Sequence, residues 1–570
     1  MMDLKKKNIL ILSILVMGAV LRIWGLSFGL PFQLHQDEPI VVNHALAYGT
    51  GDLNPHFFII PPLCSYLLFF AYGLYFILGK IAGLFAGTEE FALEFFSDPG
   101  SFYLIARTVL GVIPGILSIW LVYVLYRRLF SDQGAWYAAA AFAFTFLGVV
   151  NAHYAYVDNV MLLLVLMVYC SLSVLIREPS MRNYLLSGAL FGLAVSTKYN
   201  AAILAVSCYI AHITAVYEHG LERKKLFLDK KLWAAFLVAA AAFALTNPFS
   251  VIDWRFFAGD VFGKIRHSFM GWSHHVTYSL FEGMGFGLVL VGILGLVMIL
   301  VLEKRLKGLF FLSFPVVFYL HLVLASQRFS RYVLPLVPFL SIGAAYLLFR
   351  VLYPLVANRF YRAMVIALSL MYLIPTTAKS IKADILFSGE DTRAISAGWI
   401  KENLPPGTKI AVDHTSFRPQ VSQTGEQLIE KYDVAGRQEG LGRAKKEKLG
   451  LMLKAIEGKK TYNVYFLTLE GQERGQFLST VPAVAYDIKA LKREGIEYVV
   501  INYNTSGPEK DRFIGILQDK ADVLVEFSPY YDKKIKRPFD RVDTTFMSVA
   551  SEEIFSRDKT GPCLVIYRIK

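Results

Sequence analysis

Residues 103–126 read YLIARTVLGVIPGILSIWLVYVLY and are followed directly by Arg127-Arg128. An apolar run of this length can cross a hydrocarbon core about 30 Å thick as a single helix. A pair of arginines at one end is typical of the cytoplasmic end of such a helix. This segment therefore predicts an integral membrane protein.

Similar runs recur along the N-terminal two-thirds of the chain. Of its 570 residues, 55% are hydrophobic and 18% are charged, whereas a soluble protein has about 25% charged residues. The predicted spans lie near residues 8–26, 103–126, 134–152, 160–176, 184–197, 199–217, 232–250, 281–302, 308–325, 332–350 and 362–377. We predict an α-helical polytopic membrane domain over residues 1–378, with about eleven to thirteen transmembrane helices.

The net charge of +13 is spread over short basic clusters between the apolar runs. That pattern follows the positive-inside rule and lacks the contiguous basic face of a nucleic-acid-binding protein, so no nucleic-acid partner is predicted. With Lys5 to Lys7 inside, an odd number of crossings places everything after residue 378 outside. We expect a multi-pass plasma-membrane protein with a cytoplasmic N-terminus.

Two segments decide this parity. Residues 61–86 open with Pro61-Pro62 and are rich in Tyr, Phe and Gly, and a full crossing there would put Arg127-Arg128 outside. We predict that this segment lies along or re-enters the membrane, within a first outer loop of about residues 27–102. The run 184–217 is too long for one helix, and we predict a hairpin that turns near Lys198.

Residues 379–570 change to short β-rich runs that alternate with polar helical stretches such as Thr392 to Asn403. This alternation predicts an extracytoplasmic α/β domain. The predicted strands are Lys409 to Val412, Tyr462 to Leu467, Tyr498 to Asn502, Val523 to Phe527 and Cys563 to Tyr567.

The first outer loop carries His35-Gln36-Asp37-Glu38-Pro39. Two adjacent carboxylates at a membrane face are costly to desolvate, so they favour a functional site. Pro39 also suits the start of a helix that runs to about Tyr48, where both carboxylates would complement the positive helix end. The two interpretations are compatible.

Other polar residues are predicted on the same outer face. Asp158, which lies near His153, is either a helix cap or part of the same pocket. The outer cations Arg107, Lys198 and Arg331 run against the positive-inside bias, which favours anion binding, although interfacial anchoring explains such residues as well. His267, in an outer loop with other histidines, is a metal-ligand candidate whose spacing is not diagnostic.

Together these residues suggest an outward pocket at the membrane boundary that suits a lipid-linked phosphate. Cations would hold the phosphate while a carboxylate removes a proton from an incoming hydroxyl. A transporter would instead place ionisable groups near mid-membrane, often on broken helices in repeated halves.

The sequence resembles the membrane glycosyltransferases that use polyprenyl-phosphate sugars, a superfamily that includes protein O-mannosyltransferases and the lipid A aminoarabinose transferase. The resemblance covers roughly residues 8–350. Its motifs are Arg22 through Asp37-Glu38, Pro61-Pro62-Leu63, Ala106-Arg107, Asp158, Gly192-Leu193-Ala194 with Thr197-Lys198, and Arg331-Tyr332-Val333-Leu334-Pro335, in matching order.

The resemblance implies a glycosyltransferase C-type fold for the membrane domain and an inverting enzyme that transfers a sugar from a polyprenyl-phosphate donor to a protein, glycan or lipid acceptor outside the membrane. Asp37 would be the catalytic base with Glu38 beside it, and Arg107, Lys198 and Arg331 would bind the donor phosphate. The expected pocket residues are His35, Asp158, His153 and Tyr332.

Cofactor use and the function class stay open at this stage. Relatives differ in metal dependence, so no cofactor is certain; a divalent ion would use Asp37, Asp158 and His267. The absence of a lectin-like repeat favours a bacterial or archaeal origin. The alternatives are a transporter or flippase of lipid-linked sugars and a membrane sensor or scaffold.

Overall fold

Apolar runs in the first two-thirds of the chain form helices, because a helix satisfies its backbone hydrogen bonds internally where no water is available. The protein is described by a computed structural model that covers residues 4–263, 272–325, 328–413, 417–439, 443–468, 482–534 and 550–570. The helices of the first part are α1 (Leu4–Ile23), α2 (Glu38–Ala47), α3 (Leu63–Ile81), α4 (Thr88–Ser97), α5 (Gly100–Arg107), α6 (Ile113–Leu129), α7 (Ala135–Ala143), α8 (Phe146–Ala152), α9 (Asp158–Arg177), α10 (Met181–Val195), α11 (Leu204–Glu218), α12 (Lys225–Leu228), α13 (Lys230–Thr246), α14 (Pro248–Ile252), α15 (Trp254–Phe262), α16 (Phe281–Met284), α17 (Phe286–Leu302), α18 (Arg305–Val323), α19 (Val337–Ala345), α20 (Tyr353–Leu355) and α21 (Arg359–Ser388).

Short 3₁₀ and π segments extend or join several of these helices. The 3₁₀ segments are Tyr48–Thr50, Tyr199–Ile203 and Ser330–Leu336, and the π segments are Thr108–Val112, His275–Leu280 and Tyr346–Leu352. One 3₁₀ segment follows α10 directly after Lys198, and another leads into α19. Both lie next to cations that the sequence singled out.

The membrane-protein prediction is confirmed. Within the described ranges, seven helical segments are long and apolar enough to cross a membrane, and the number rises to nine when two bent helix pairs count as one span each. The predicted spans 8–26, 184–197 and 232–250 coincide with α1, α10 and α13, so they are helical as well.

The two segments that decide the parity form the expected helices. Between α10 and α11 the helix is interrupted at residues 196–203, which agrees with the predicted turn near Lys198. Segment 61–86 contains α3, whose length and composition would also allow a crossing. Its location along the membrane therefore stays a prediction.

Small residues bring several helices into close contact. A Cβ atom at Gly295 of α17 would lie 1.8 Å from the carbonyl oxygen of Gly343 in α19, so the two backbones touch there. At Gly188 and Gly192 of α10 the same test gives 2.2 Å to backbone oxygens of α13. Without a hydrophobic driving force inside lipid, such close packing is a main source of helix association.

The C-terminal part contains an α/β region with a small mixed sheet, as predicted. Its helices are α22 (Thr392–Asn403), α23 (Gly425–Glu439), α24 (Arg443–Ile456), α25 (Ile488–Arg493), α26 (Pro508–Lys520) and α27 (Ser551–Ser556). Its strands are β1 (Lys409–Asp413), β2 (Asn463–Thr468), β3 (Ala483–Ala485), β4 (Tyr498–Asn502), β5 (Ala521–Phe527) and β6 (Leu564–Ile569).

Among the described residues, the strand order is β3-β2-β1-β4-β6-β5. The first four strands pair in parallel, and β6 runs antiparallel to both β4 and β5. Five of these strands match the predicted runs, whereas the three-residue β3 was missed because it is too short to show a pattern. Helix α21 continues through residue 378 to Ser388, so the predicted boundary at 378/379 falls within one helix.

Candidate functional site

The chain leaves α1 and enters a short loop that leads to α2, and this loop carries the predicted motif. Asp37 occupies the position just before α2, with Pro39 in the first helical turn, as expected. Its side chain makes no capping hydrogen bond to the helix. The carboxylate is therefore available for contacts outside its own helix.

Asp37 takes part in a chain of charges that three distant segments assemble. Its Oδ2 lies 2.8 Å from Nη2 of Arg331, which belongs to the 3₁₀ segment before α19. Arg331 Nε lies 3.7 Å from Oδ2 of Asp158, the first residue of α9. Lys198 Nζ lies 2.6 Å from the other oxygen of Asp158. Two carboxylates and two cations thus alternate in one cluster.

This cluster is partly open to solvent and incompletely satisfied. The side chains of Asp37 and Lys198 are 17% and 22% exposed, respectively. Within the described part of the chain, Arg331 Nη1 lacks a hydrogen-bond partner, and Arg331 Nε and the Oδ2 atoms of Asp37 and Asp158 have ion-pair contacts but no hydrogen bond. Buried polar groups normally find partners, so these atoms are candidates for binding a ligand.

Aromatic rings surround the cations of the cluster. The Arg331 guanidinium carbon lies 4.5 Å from the ring centre of Phe329 and 5.2 Å from that of Tyr156. Lys198 Nζ lies 4.7 Å from the ring centre of Tyr332. Contacts of this kind stabilise a cation without neutralising it, so the positive charges remain able to attract an anion.

Glu38 forms a separate ion pair that is closed on all sides. Its two oxygens accept hydrogen bonds from Nε and Nη2 of Arg107 at 2.8 and 2.9 Å, and both side chains are 0% exposed. Glu38 also accepts a bond from the backbone of Ala155, while Arg107 donates to the carbonyls of Leu26 and Phe28. The pair joins α5, α2 and the loops around them.

His35 lies next to the cluster and is fully buried. Its Nδ1 accepts a hydrogen bond of 3.3 Å from the backbone N–H of Asp37, so the proton of the neutral ring is on Nε2. Burial, aided by the charges of Arg331, Arg107 and Arg393, holds the pKa of His35 well below its usual range. Nε2 has no hydrogen-bond partner among the residues that the structure covers. A neutral donor is therefore available beside Asp37.

The remaining predicted residues occupy other positions. His153 is buried between helices, where its ring nitrogens contact the carbonyls of Val149 and Trp24 and its Nε2 lies 3.6 Å from Asp384. It thus faces α1 and α21, and its contacts among the described residues do not include Asp37 or Arg331. His267 lies outside the described residues.

The described side chains at this site do not form a metal-ligand set, and His267, the third predicted ligand, lies outside the described residues. In the described ranges, no group of three or more His, Cys, Asp or Glu side chains converges on one point. The guanidinium of Arg331 already contacts both Asp37 and Asp158, where a divalent ion would bind. The chemistry derived below therefore uses the side chains alone.

Sequence reasoning missed the contribution of the C-terminal region to this loop. Arg393 Nη1 donates a 2.9 Å hydrogen bond to the carbonyl of Leu34, and Gln420 binds the backbone of Gln33. It also missed the aromatic residue Phe329. Phe329 and Tyr332 lie on either side of Arg331 in the sequence, which was the available signal.

Comparison with protein families and curated sequences gives one match. Residues 101–248 match the model of the family described as dolichyl-phosphate-mannose-protein mannosyltransferase. The matched segment contains Arg107, Asp158 and Lys198. No curated protein sequence matches the chain.

One solved structure shares the fold at low sequence identity, and two others are similar to the chain at lower TM-scores. A structure of ArnT from Cupriavidus metallidurans bound to undecaprenyl phosphate is 13% identical, with a TM-score of 0.50, and the alignment covers 99% of this chain and 98% of that one. The Archaeoglobus fulgidus oligosaccharyltransferase tethered with an acceptor peptide gives 14% identity, coverage of 88% and 70%, and a TM-score of 0.47. The Saccharomyces cerevisiae protein O-mannosyltransferase Pmt1-Pmt2 complex bound to the sugar donor is 20% identical, with a TM-score of 0.34, and the alignment covers 45% of this chain and 35% of that one.

Proposed function

We propose that this protein is a membrane glycosyltransferase of the C-type fold, which transfers a sugar from a polyprenyl-phosphate donor to an acceptor on the outer face of the membrane. The acceptor supplies a hydroxyl or comparable nucleophile from a protein, a glycan or a lipid. The N-terminus lies in the cytoplasm, and the region after Ser388 forms the extracytoplasmic domain.

The observation that carries this proposal is the mixed charge cluster. Arg331 and Lys198 supply two cations, and each has a carboxylate beside it. A lipid phosphate needs positive charge when it departs, and the attacking hydroxyl needs an acceptor for its proton. Both requirements are met within one contiguous set of side chains.

The bond changes follow from these roles. The acceptor oxygen attacks the anomeric carbon from the side opposite the phosphate, forming the new glycosidic bond with inversion. The bond between the anomeric carbon and the phosphate oxygen breaks, and its electron pair leaves with polyprenyl phosphate. Asp37 takes the acceptor proton, while Lys198 and Arg331 stabilise the negative charge of the departing phosphate.

Arg331 would link the two events. In the structure its Nη2 lies 2.8 Å from Oδ2 of Asp37, so the guanidinium and the carboxylate form an ion pair. Donor binding would draw the guanidinium toward the phosphate through Nη1, which has no hydrogen-bond partner among the described residues. Asp37 would then be released toward the acceptor only when the donor is present.

Glu38 and Arg107 serve the scaffold in this proposal. Every oxygen of Glu38 has a protein partner, and Arg107 donates to Glu38 and to two backbone carbonyls. A guanidinium used in this way has little capacity left for a phosphate. The same argument applies to His153, whose ring nitrogens both contact backbone carbonyls.

Transfer can be tested with purified full-length protein in proteoliposomes. The probe is a set of polyprenyl-phosphate sugars labelled in the sugar, incubated with envelope extract as the acceptor source. The proposal predicts that label moves to acceptor while polyprenyl phosphate is released in equal amount. Label that crosses the bilayer still attached to the lipid, without covalent transfer, would instead indicate a flippase.

A further inference from the structure

The C-terminal region contacts the backbone of the loop directly ahead of His35 and Asp37. Gln420 Oε1 accepts a hydrogen bond of 2.9 Å from the backbone N–H of Gln33, and its Nε2 donates one of 2.6 Å to the carbonyl of the same residue. One amide side chain thereby satisfies both backbone groups of Gln33. Such a two-bond contact fixes position and orientation together.

The neighbouring residue is held from a second direction. Arg393 Nη1 donates a hydrogen bond of 2.9 Å to the carbonyl of Leu34, and the side chain is almost completely buried. Its other nitrogens, Nε and Nη2, bind the two oxygens of Asp391 at 2.8 and 2.9 Å. Although burial acts against ionisation, the Arg393 guanidinium holds the pKa of Asp391 below its usual range.

The residues that make these contacts are themselves anchored to the sheet. Asp391 pairs with Thr560, which lies shortly before β6, and the backbone N–H of Thr392 donates to the Thr560 carbonyl at 3.1 Å. The guanidinium is therefore held by α22 and by the segment that leads into the sheet. Loop residues 32–34 are thus tied to the folded part of the C-terminal region.

We infer that Gln420 and Arg393 are positioning residues, which hold the backbone of residues 32–34 so that His35 and Asp37 stay in place against Arg331. On this view the C-terminal region belongs to the catalytic unit and is more than a separate acceptor-binding module. The inference rests on the proposed function for its catalytic consequence. Its structural part, the ordering of the loop, stands without it.

The short separation between Gln33 and Asp37 explains why loss of the Gln420 contact should lower kcat. Asp37 follows Gln33 by four residues, and its carboxylate must reach both Arg331 and the acceptor hydroxyl. Displacement of a reacting group by about 1 Å can cost about a hundredfold in rate. Loss of one anchor among several should cost less, so we expect about a tenfold fall in kcat for Gln420→Ala.

Gln420→Ala in the full-length protein is the test variant, because Gln420 is only partly buried and its removal leaves Arg393 in place. Lys454→Ala is the matched control. Lys454 of α24 pairs with Glu89 of α4, so it also joins the C-terminal region to the first loop, but both side chains are exposed and residues 32–34 are not involved.

Two measurements are made on each variant. Hydrogen–deuterium exchange in detergent follows the peptide that contains the Gln33 amide, and we expect exchange to accelerate about fivefold in Gln420→Ala, since one backbone hydrogen bond is lost. Transfer kinetics should show the fall in kcat with the donor KM within about twofold of the wild type, because Lys198 and Arg331 are untouched. Lys454→Ala should match the wild type in both measurements.

The Asp37→Asn background separates positioning from general destabilisation. If Gln420 acts through Asp37, Gln420→Ala should cause no further loss of the residual transfer in Asp37→Asn protein. Equal exchange and equal kcat in Gln420→Ala and Lys454→Ala would overturn the inference. If the wild type transfers no sugar from any polyprenyl-phosphate donor, the proposed function fails, and the exchange data alone still decide whether Gln420 orders the loop.

Discussion

Asp37 and Glu38 are adjacent in sequence and both pair with an arginine, yet the two pairs differ in nearly every physical respect. Glu38 and Arg107 are 0% exposed and bonded through two oxygens and two nitrogens. The Asp37 side chain is 17% exposed and contacts Arg331 through one oxygen and one nitrogen, 2.8 Å apart. One pair is complete, and the other has unused hydrogen-bonding capacity.

The difference between the two pairs separates a carboxylate that stabilises the structure from one that can take part in a reaction. A buried ion pair repays its desolvation only when its geometry is excellent and the remaining donors and acceptors are satisfied, as they are around Glu38. A carboxylate that must accept a proton during a reaction cannot be satisfied in that way. Asp37, with its incomplete contacts and partial exposure, fits the second description.

Substitution of Asp37 by Asn should have the largest effect on activity. The amide keeps the size of the side chain and removes its ability to take a proton, so transfer should fall by about 10² to 10⁴. The melting midpoint in detergent should remain close to that of the wild type, because the side chain does not cap α2. Loss of the fold in this variant would assign Asp37 to the scaffold.

Substitution of Glu38 by Gln should have the opposite profile. It leaves Arg107 charged and buried without a counter-ion, which costs about 3–5 kcal/mol. A lower melting midpoint and poorer recovery of folded protein are expected. The double variant Glu38→Gln/Arg107→Met removes both charges and should recover part of the loss. A Glu38→Gln protein as stable as the wild type would contradict the structural role.

A smaller effect is expected at the donor-binding cations. Lys198→Gln removes one charged hydrogen-bond donor, which corresponds to a rise of about tenfold to a hundredfold in the donor KM. The control is Lys304→Gln, because Lys304 is 82% exposed and its nearest carboxylate, in Glu218, lies 3.9 Å away. Steady-state kinetics with varied donor distinguishes the two. An unchanged KM in Lys198→Gln would remove Lys198 from the phosphate site.

The smallest predicted effect concerns pH. Burial lowers the pKa of His35 in the folded protein, whereas the unfolded chain takes up a proton near pH 6.5. The unfolded state therefore binds more protons as the pH falls below about 6.5, and folding stability decreases by up to about 1.4 kcal/mol per pH unit from this group.

His35→Gln isolates that contribution. Between pH 7 and pH 5.5 the melting midpoint should decrease more in the wild type than in the variant, since the other titrating groups are common to both proteins. Parallel pH curves for the two proteins would show that His35 titrates normally and would remove the neutral donor from the site.

The sequence predicted the helical architecture, and its candidate residues included all four members of the mixed charge cluster. Apolar run length and basic clusters predicted spans that coincide with helices, and the outer-face argument selected Asp37, Asp158, Lys198 and Arg331, which the structure brings together. Predicted topology carries this information because charged side chains avoid the hydrocarbon core. Those at the helix ends of one face therefore lie in the same polar layer and can meet.

The sequence could not predict which of the candidate residues pair with one another. Glu38 and Arg107 were expected to be catalytic and phosphate-binding, but they are 69 residues apart and bond to each other through tertiary contact alone. Arg393 and Leu34 are 359 residues apart, and no local pattern relates them. The same holds for His153, which shares an outer end with Asp158 but points toward α1 and α21.

The most direct test of the central claim is the transfer rate per folded molecule of Asp37→Asn and Glu38→Gln, measured side by side on one polyprenyl-phosphate sugar. We predict that Asp37→Asn loses transfer by at least about a hundredfold. The transfer rate per folded molecule of Glu38→Gln should stay within about tenfold of the wild type, since the Glu38–Arg107 pair only supports the loop. Equal losses in the two variants would contradict the division between a chemical and a structural carboxylate.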